Sequence, residues 1–451
     1  MRILGLAIRP PQTAEGSPAV TPELLASCLA RYSRSNKGID TILASIDWNN
    51  PDAAVDAIFK FVDYGHASIG GMTGGIAMVV DGCSMYLAYK LFEIAQYCDG
   101  QESSTRYIKL DASSLPDPAT LGIPDRHCEK WQSFGELAFT CYQEMYDTLD
   151  RKAHENPSIV RVPEGASPKV IDRLRKNYAL DRARYYIPFA TKTNAAYVMS
   201  ARAWAEAIKQ LEALPLAEAK TCAAALRGEL QKFAPRLARH AGADNASTAQ
   251  AEHLFEYAVK DIGTNGVPNA KLADDVWISV ENNFPPFMPP ISPMENAFAG
   301  KQNRYSVTGS TARRVMVRAA WNNMAVAELR DLNRHRTGFR FSPLVPVGFY
   351  IPDEAKHPRH DELMALYASL VSDFASDSTA SPSFVYGLLL GTQVRFEHSQ
   401  HLDKFIYETE LRTGMGAHFR YAEHLVQAGK LLVQKMPELA PHITFGSAEP
   451  E

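Results

Sequence analysis

Asn283-Phe284-Pro285-Pro286-Phe287-Met288-Pro289-Pro290 is the stretch that decides how the chain divides. Its four prolines remove backbone donors and fix φ, so neither a helix nor an inner strand crosses it, and it reads as an extended connector. Upstream, Ile76 to Val80 reads as a strand and Met85, Ala88, Tyr89 and Phe92 mark one stripe of a helix. The polar loop from Asp99 to Glu102 follows. Then come a long helical region, a strand or turn from Ala183 to Thr191, and a helix from Tyr197 to Leu211. Downstream the order recurs: Arg314 to Ala320 alternates as a strand, Asn322 to Leu332 is helical, and an Arg/His-rich loop follows. Ser383 to Phe396 is extended, and Leu402, Phe405, Ile406 and Thr409 line a helix with Arg412 a turn beyond. The repeated order predicts an α+β fold in two tandem copies, residues 1–265 and 266–451, related by pattern more than by identity. Ahead of the first copy's sheet lie a strand from Arg2 to Ile8, a helix opened by Thr21-Pro22, and a helix after Asn50-Pro51 carrying Val55, Ile58, Phe59 and Val62 on one face.

With 451 residues, 46% of them hydrophobic, the chain has ample material for two or three domains. A formal net charge of −4 calls for neither a nucleic-acid partner nor an anionic membrane. No apolar run reaches bilayer length and Met1 to Pro11 is too short for a signal peptide, so a cytoplasmic protein is expected. The six cysteines, all in the first half, form no CxxC pair and read as free packing thiols with no metal site.

Four clusters could carry chemistry. Gly65-His66-Ala67-Ser68 ends a helix, where such residues commonly serve only as a cap. Gln101-Glu102-Ser103-Ser104-Thr105-Arg106-Tyr107 combines hydroxyls with one guanidinium and suits a phosphate, the plain alternative being a solvated loop. Arg334-His335-Arg336 closes a helix that bears Glu328 and Asp331, and suits an anion or merely complements the helix dipole. Arg184 and Arg412 sit beside apolar segments and must find partners or reach solvent.

In this order the clusters resemble the flavin-dependent thymidylate synthases, the ThyX family. Its motifs are a GHxS/T element, an RHR triplet, an ExSxRY-like loop, an ARxxLP strand, an NxR helix start and a helix arginine in an LR pair. The first copy matches the GHxS element at His66 and Ser68, the loop at Glu102, Ser104, Arg106 and Tyr107, the strand arginine at Arg184 and the NxR start at Ser200-Ala201-Arg202. Its triplet position holds Ile94-Ala95-Gln96, and Leu211 stands at the helix arginine. The second copy keeps what the first lost, Arg334-His335-Arg336 and Leu411-Arg412. It has Leu344 at the loop serine, Val385 near the strand arginine, and His401 and Asp403 for the NxR pair.

The resemblance implies FAD as cofactor, NADPH and methylenetetrahydrofolate as co-substrates, and a dUMP-like pyrimidine nucleotide methylated at C5. It implies a catalytic Arg412 that stabilises charge at N3 and O4. Nucleotide-binding positions are Glu102, Ser103, Ser104, Thr105, Arg106, Arg184, Asp331, Arg334 and Arg412; flavin-binding positions are His66, Ser68, Glu102, Ser200, Arg202, Arg334, His335 and Arg336. Family sites lie between subunits, so the two complementary sets are expected to meet around one flavin, in a homodimer imitating the family's tetramer. Two positions depart from the pattern: Asp331 replaces a nucleotide-binding Gln, and Gly71 replaces the glutamate after the GHxS element. Both bear on which nucleotide is used. The alternatives are another pyrimidine nucleotide, such as UMP or dCMP, and an inactive flavin- or nucleotide-binding protein.

Overall fold

A computed structural model describes residues 22–35, 38–50, 52–62, 75–95, 97–160, 162, 164–233, 235–414 and 416–446. The strand expected at Arg2 to Ile8 and the Gly65-His66-Ala67-Ser68 element lie outside them. The chain is α+β, and it forms two compact units that interleave along the sequence. The first comprises Met1–Gln132, Phe189–Tyr257 and Asp377–Gly387; the second comprises Ser133–Pro188, Ala258–Ser376 and Leu388–Glu451. These units do not follow the expected copies 1–265 and 266–451: packing assigns 133–188 and 258–265 of the first and 377–387 of the second to the opposite unit.

In the first unit, helices α1 (Pro22–Tyr32), α2 (Ile39–Ala44) and α3 (Asp52–Val62) precede β1 (Ile76–Ser84), α4 (Met85–Ile94) and β2 (Asp99–Glu102). The chain then passes through the long α5 (Asp125–Glu155) and α6 (Pro168–Ala183), which from Ser133 on belong to the second unit, and returns in β3 (Lys192–Met199), α7 (Ala201–Glu212), α8 (Ala217–Phe233) and the first part of α9 (Asn245–Asn265). β3 is the central strand of an antiparallel sheet in the order β1-β3-β2. Tyr197 to Met199, read from sequence as the start of a helix, instead finish this strand. Ala195 to Met199 are buried on both faces of the sheet, which blurs the alternation that separates strand from helix. Gly100 sits where a Cβ would come within 2.4 Å of the Ala196 carbonyl, so only glycine admits this close approach of β2 to β3. Leu24, Leu29, Tyr32 and Ile42 pack with Ala196 and Val198 of β3. Ser84 caps α4, its Oγ accepting from the Leu87 N–H at 3.0 Å, and the half-buried Glu218 accepts in turn from the Ser84 N–H and O–H, each at 2.7 Å.

The second unit repeats this plan and extends it. Its elements are β4 (Val276–Glu281), β5 (Met316–Ala325), α10 (Val326–Leu332), β6 (Gly338–Phe341), β7 (Gly348–Phe349), α11 (His360–Ser376), β8 (Thr392–His401), α12 (Leu402–Arg412) and α13 (Phe419–Lys435). The sheet order is β4-β5-β8-β6, with β7 also on β8. β5 pairs β8 as β1 pairs β3, and each pair breaks register near its end, between Trp321 and Met324 here and between Val80 and Cys83 there. In both units the bulged strand runs straight into a helix, and the central strand does the same. β5 reaches Ala325, beyond the predicted helix start at Asn322, because the bulge lets pairing resume after the pattern has ended. Ser383 to Phe396 is also not continuous strand: a helical turn, Phe384–Gly387, precedes β8. Beneath the second sheet Trp321 stacks on Phe396 with centroids 5.8 Å apart, and its Nε1 donates to the His424 carbonyl at 3.1 Å. Among the described residues no helix is long and apolar enough to cross a membrane.

Candidate functional site

The loop after β2 belongs to the first unit and is built, not solvated. Glu102 pairs with Ala195, and the Ser103 N–H donates to the Asn194 carbonyl at 2.8 Å. The Ser104 N–H donates to Ser33 O at 3.3 Å, which ties the loop to the end of α1. Ser104 Oγ accepts from the Arg106 N–H at 3.2 Å, and its carbonyl accepts from Tyr107 and Ile108, both at 3.1 Å. With these donors satisfied locally, Glu102, Ser103, Thr105 and Arg106 are all buried. Ser200 caps α7 by accepting from the Ala203 N–H at 3.2 Å, and Arg202, two residues on, is exposed.

In the second unit the fold brings together arginines that lie far apart in sequence. α6 ends in a helical turn at Arg184–Tyr186, and this segment is tied to the entry of β8. Tyr185 O accepts from the Gly391 N–H at 2.8 Å and Ile187 O from the Leu390 N–H at 2.9 Å. So anchored, Arg184 is 1% exposed and donates from both terminal nitrogens to Asp331 Oδ2 at 3.2 Å. Glu328, one turn earlier on α10, lies 3.9 Å from Arg184 and accepts from the Tyr185 O–H at 2.7 Å. Arg412, at the end of α12, donates from Nη2 to the Asp331 carbonyl at 3.1 Å and from Nε to His335 Nε2 at 2.6 Å. Arg184, Asp331, His335 and Arg412 thus form one connected set, with Arg334 and Arg336 half-buried on either side of His335.

Burial governs the charges here. It lowers the His335 pKa to about 3, with Arg412 opposing protonation further, so His335 is a neutral acceptor for Arg412 and not a third cation of the triplet. Burial also pushes Glu328 up from 4.5 to about 7, against the opposing pull of Arg184 and the Tyr185 hydrogen bond. Because the folded state holds this proton more tightly than the unfolded chain, the associated stability is complete below about pH 4.5 and is lost as pH rises through about 7. The Glu328→Gln variant should escape that loss: between about pH 5 and 8 its melting midpoint should fall by about 5 °C less than the wild type's. Parallel melting curves in the two proteins would assign the alkaline decline elsewhere.

Sequence reasoning missed several members. Glu328 lies three residues before Asp331 on one helix face, a spacing that pointed at a shared partner. Glu408 interrupts the apolar stripe of α12, and its carboxylate lies 3.0 Å from His398 Nδ1 on β8 while accepting from Gln400. Burial raises the Glu408 pKa, but His398 beside it and the hydrogen bonds from His398 and Gln400 outweigh it and hold the acid at about 2. Cys141 also has a neighbour invisible in sequence, His357 Nδ1 at 3.4 Å, itself bonded through Nε2 to Glu144 at 2.8 Å. Complete burial nevertheless pushes the thiol up to about 12, so it stays protonated. All six cysteines are free.

Residues 19–236 match the family model described as thymidylate synthase complementing protein, a span that includes the 102–107 loop, Arg184, Ser200 and Arg202. No curated protein matches the chain. The built loop and the α+β architecture agree with this match, and residues 19–236 are similar to the thymidylate synthase complementing protein family, ThyX.

Proposed function

We propose that the protein transfers a one-carbon unit to C5 of a pyrimidine nucleotide, with the family's dUMP-to-dTMP conversion as the reference reaction, FAD as cofactor, and NADPH and methylenetetrahydrofolate as co-substrates. The observation that carries this reading is the convergence of Arg184 and Arg412 on one residue, Asp331. Each arginine comes from the sequence half that kept the matching motif. Making C5 nucleophilic requires stabilising charge that develops on the ring at N3 and O4, and a fixed guanidinium supplies this best where water is scarce. His335 and the Asp331 carbonyl fix Arg412 by two hydrogen bonds, leaving Nη1 for the ring. The donor set also suits a flavin: Arg334 and Arg336 are half-buried cations at a helix end, fitted to a pyrophosphate, and when bound the flavin supplies the hydride. Arg106, Ser104 and Thr105 are assigned to the nucleotide phosphate and sugar. Arg184, too deep to meet solvent, is assigned to holding Asp331. We further propose that the two sheets descend from a tandem duplication and that the chain forms a homodimer.

Purified protein should be yellow and should oxidise NADPH only when a pyrimidine nucleotide is added, with tritium released from C5. A colourless protein that takes up no FAD would overturn the reading in favour of an inactive binding protein.

A further inference from the structure

We propose that Lys301, Arg304 and segment 442–446 are positioning residues for the reaction: they brace the last turn of α12 and so set the direction of the Arg412 guanidinium. This rests on the role proposed above for Arg412 and adds to it residues that no motif marks.

Arg412 is the final residue of α12, where a helix frays unless its orphan carbonyls find partners. No left-handed glycine closes this helix, because Thr413 stays right-handed at φ −108°, and the partners come from distant parts of the chain. Arg304 Nη1 donates to the Glu410 carbonyl at 3.2 Å. Thr413 donates to the Thr409 carbonyl through its N–H at 3.0 Å and its O–H at 2.8 Å, and its Oγ1 accepts from the Gly446 N–H at 3.1 Å. The buried Glu410 carboxylate accepts from Lys301 Nζ and, at 3.1 Å, from the Thr444 N–H. Lys301 also donates to the His442 carbonyl at 2.8 Å, so one ammonium clamps segment 442–446 to α12. His442 in turn stacks on Phe298 with centroids 4.8 Å apart.

A second line of contacts reaches Arg412 through its acceptor. Arg304 lies 5.7 Å from the centre of the Tyr305 ring, Tyr305 meets Tyr407 at 6.0 Å, and Tyr407 meets the His335 ring at 6.3 Å. His335 accepts from Arg412 Nε at 2.6 Å, so the helix end and the side chain of this arginine are held by one assembly. A guanidinium serves a developing charge only at a fixed distance and angle, and a displacement of about 1 Å costs about 10²-fold in rate. Bracing the helix end therefore acts on turnover more than on binding.

Two variants release the brace without altering Arg412. Gly446→Ala sets a Cβ 2.5 Å from the Thr413 carbonyl oxygen, which forces the segment off the helix end, and Lys301→Met removes the clamp. Each should lower kcat for nucleotide-dependent NADPH oxidation about tenfold or more while the nucleotide KM changes about twofold or less, and Lys301→Arg should restore most of the loss. In an Arg412→Ala background the same changes should cost about twofold or less, because the residue they act through is gone. The nitrogen NMR signal of His335 Nε2, identified by its loss in His335→Gln, should shift in both variants, a reading that needs no turnover. Lys301→Met keeps the test valid if Gly446→Ala fails to fold. Equal fold losses with and without Arg412, or an unmoved His335 signal, overturn the inference and leave the C5-transfer reading standing. Wild-type protein that oxidises no NADPH with any pyrimidine nucleotide overturns that reading and the inference with it.

Discussion

Arg184→Ala is expected to cost about 3–5 kcal/mol of stability, the range for removing one member of a buried ion pair. The side chain is 1% exposed, and its loss leaves Asp331 without the two hydrogen bonds it now accepts and Glu328, fully buried, without the nearest positive charge. A further contribution comes from the cavity left among well-packed neighbours. The Arg184→Ala, Asp331→Ala double variant should recover part of the deficit, because the carboxylate that Arg184 held is removed with it. Thermal melting of the two variants beside the wild type decides the matter, with about 2–4 °C expected per kcal/mol in a unit of this size. A shift of Arg184→Ala below about 2 °C would mean that solvent, not Arg184, compensates Asp331.

The second large effect concerns turnover. Arg412→Ala should retain bound flavin, seen in the absorbance spectrum, while lowering kcat by about 10²–10³, the scale for losing one preorganised donor to a developing charge. Arg412→Lys should rescue little. An ammonium on a flexible stem cannot hold His335 Nε2 and the Asp331 carbonyl together while presenting a third donor to a ring. Arg106→Ala should instead raise the nucleotide KM, since that side chain belongs to the phosphate loop. Similar activities in Arg412→Ala and Arg106→Ala would overturn both assignments.

Local patterns were enough for several helices, because amphipathic spacing and caps act over a few residues. The stripe at Met85, Ala88, Tyr89 and Phe92 became α4 with Ser84 as its cap, and the stripe at Leu402, Phe405, Ile406 and Thr409 became α12. Strand limits were less legible. Tyr197 to Met199 joined β3 and Asn322 to Ala325 joined β5, since the partner strand decides where pairing ends. At the site, the candidate arginines could be read from motifs, but their protonation partners could not. His335 looks in sequence like one of three cations, yet a buried ring accepting from Arg412 is neutral.

By itself the sequence determined that the protein is α+β, and it is the source of the proposal that the element order occurs twice with the motif residues divided between the occurrences. Residue type and periodicity carry that information, because each acts within a turn or a strand. Only the tertiary structure decided that segment 133–188 leaves its own half, so that Arg184 meets Asp331 across 147 positions of sequence. It also decided that Glu328 is held near neutrality and His335 is held uncharged. Those outcomes depend on which groups lose water together, and desolvation is a property of the packed neighbourhood, not of any one stretch of chain.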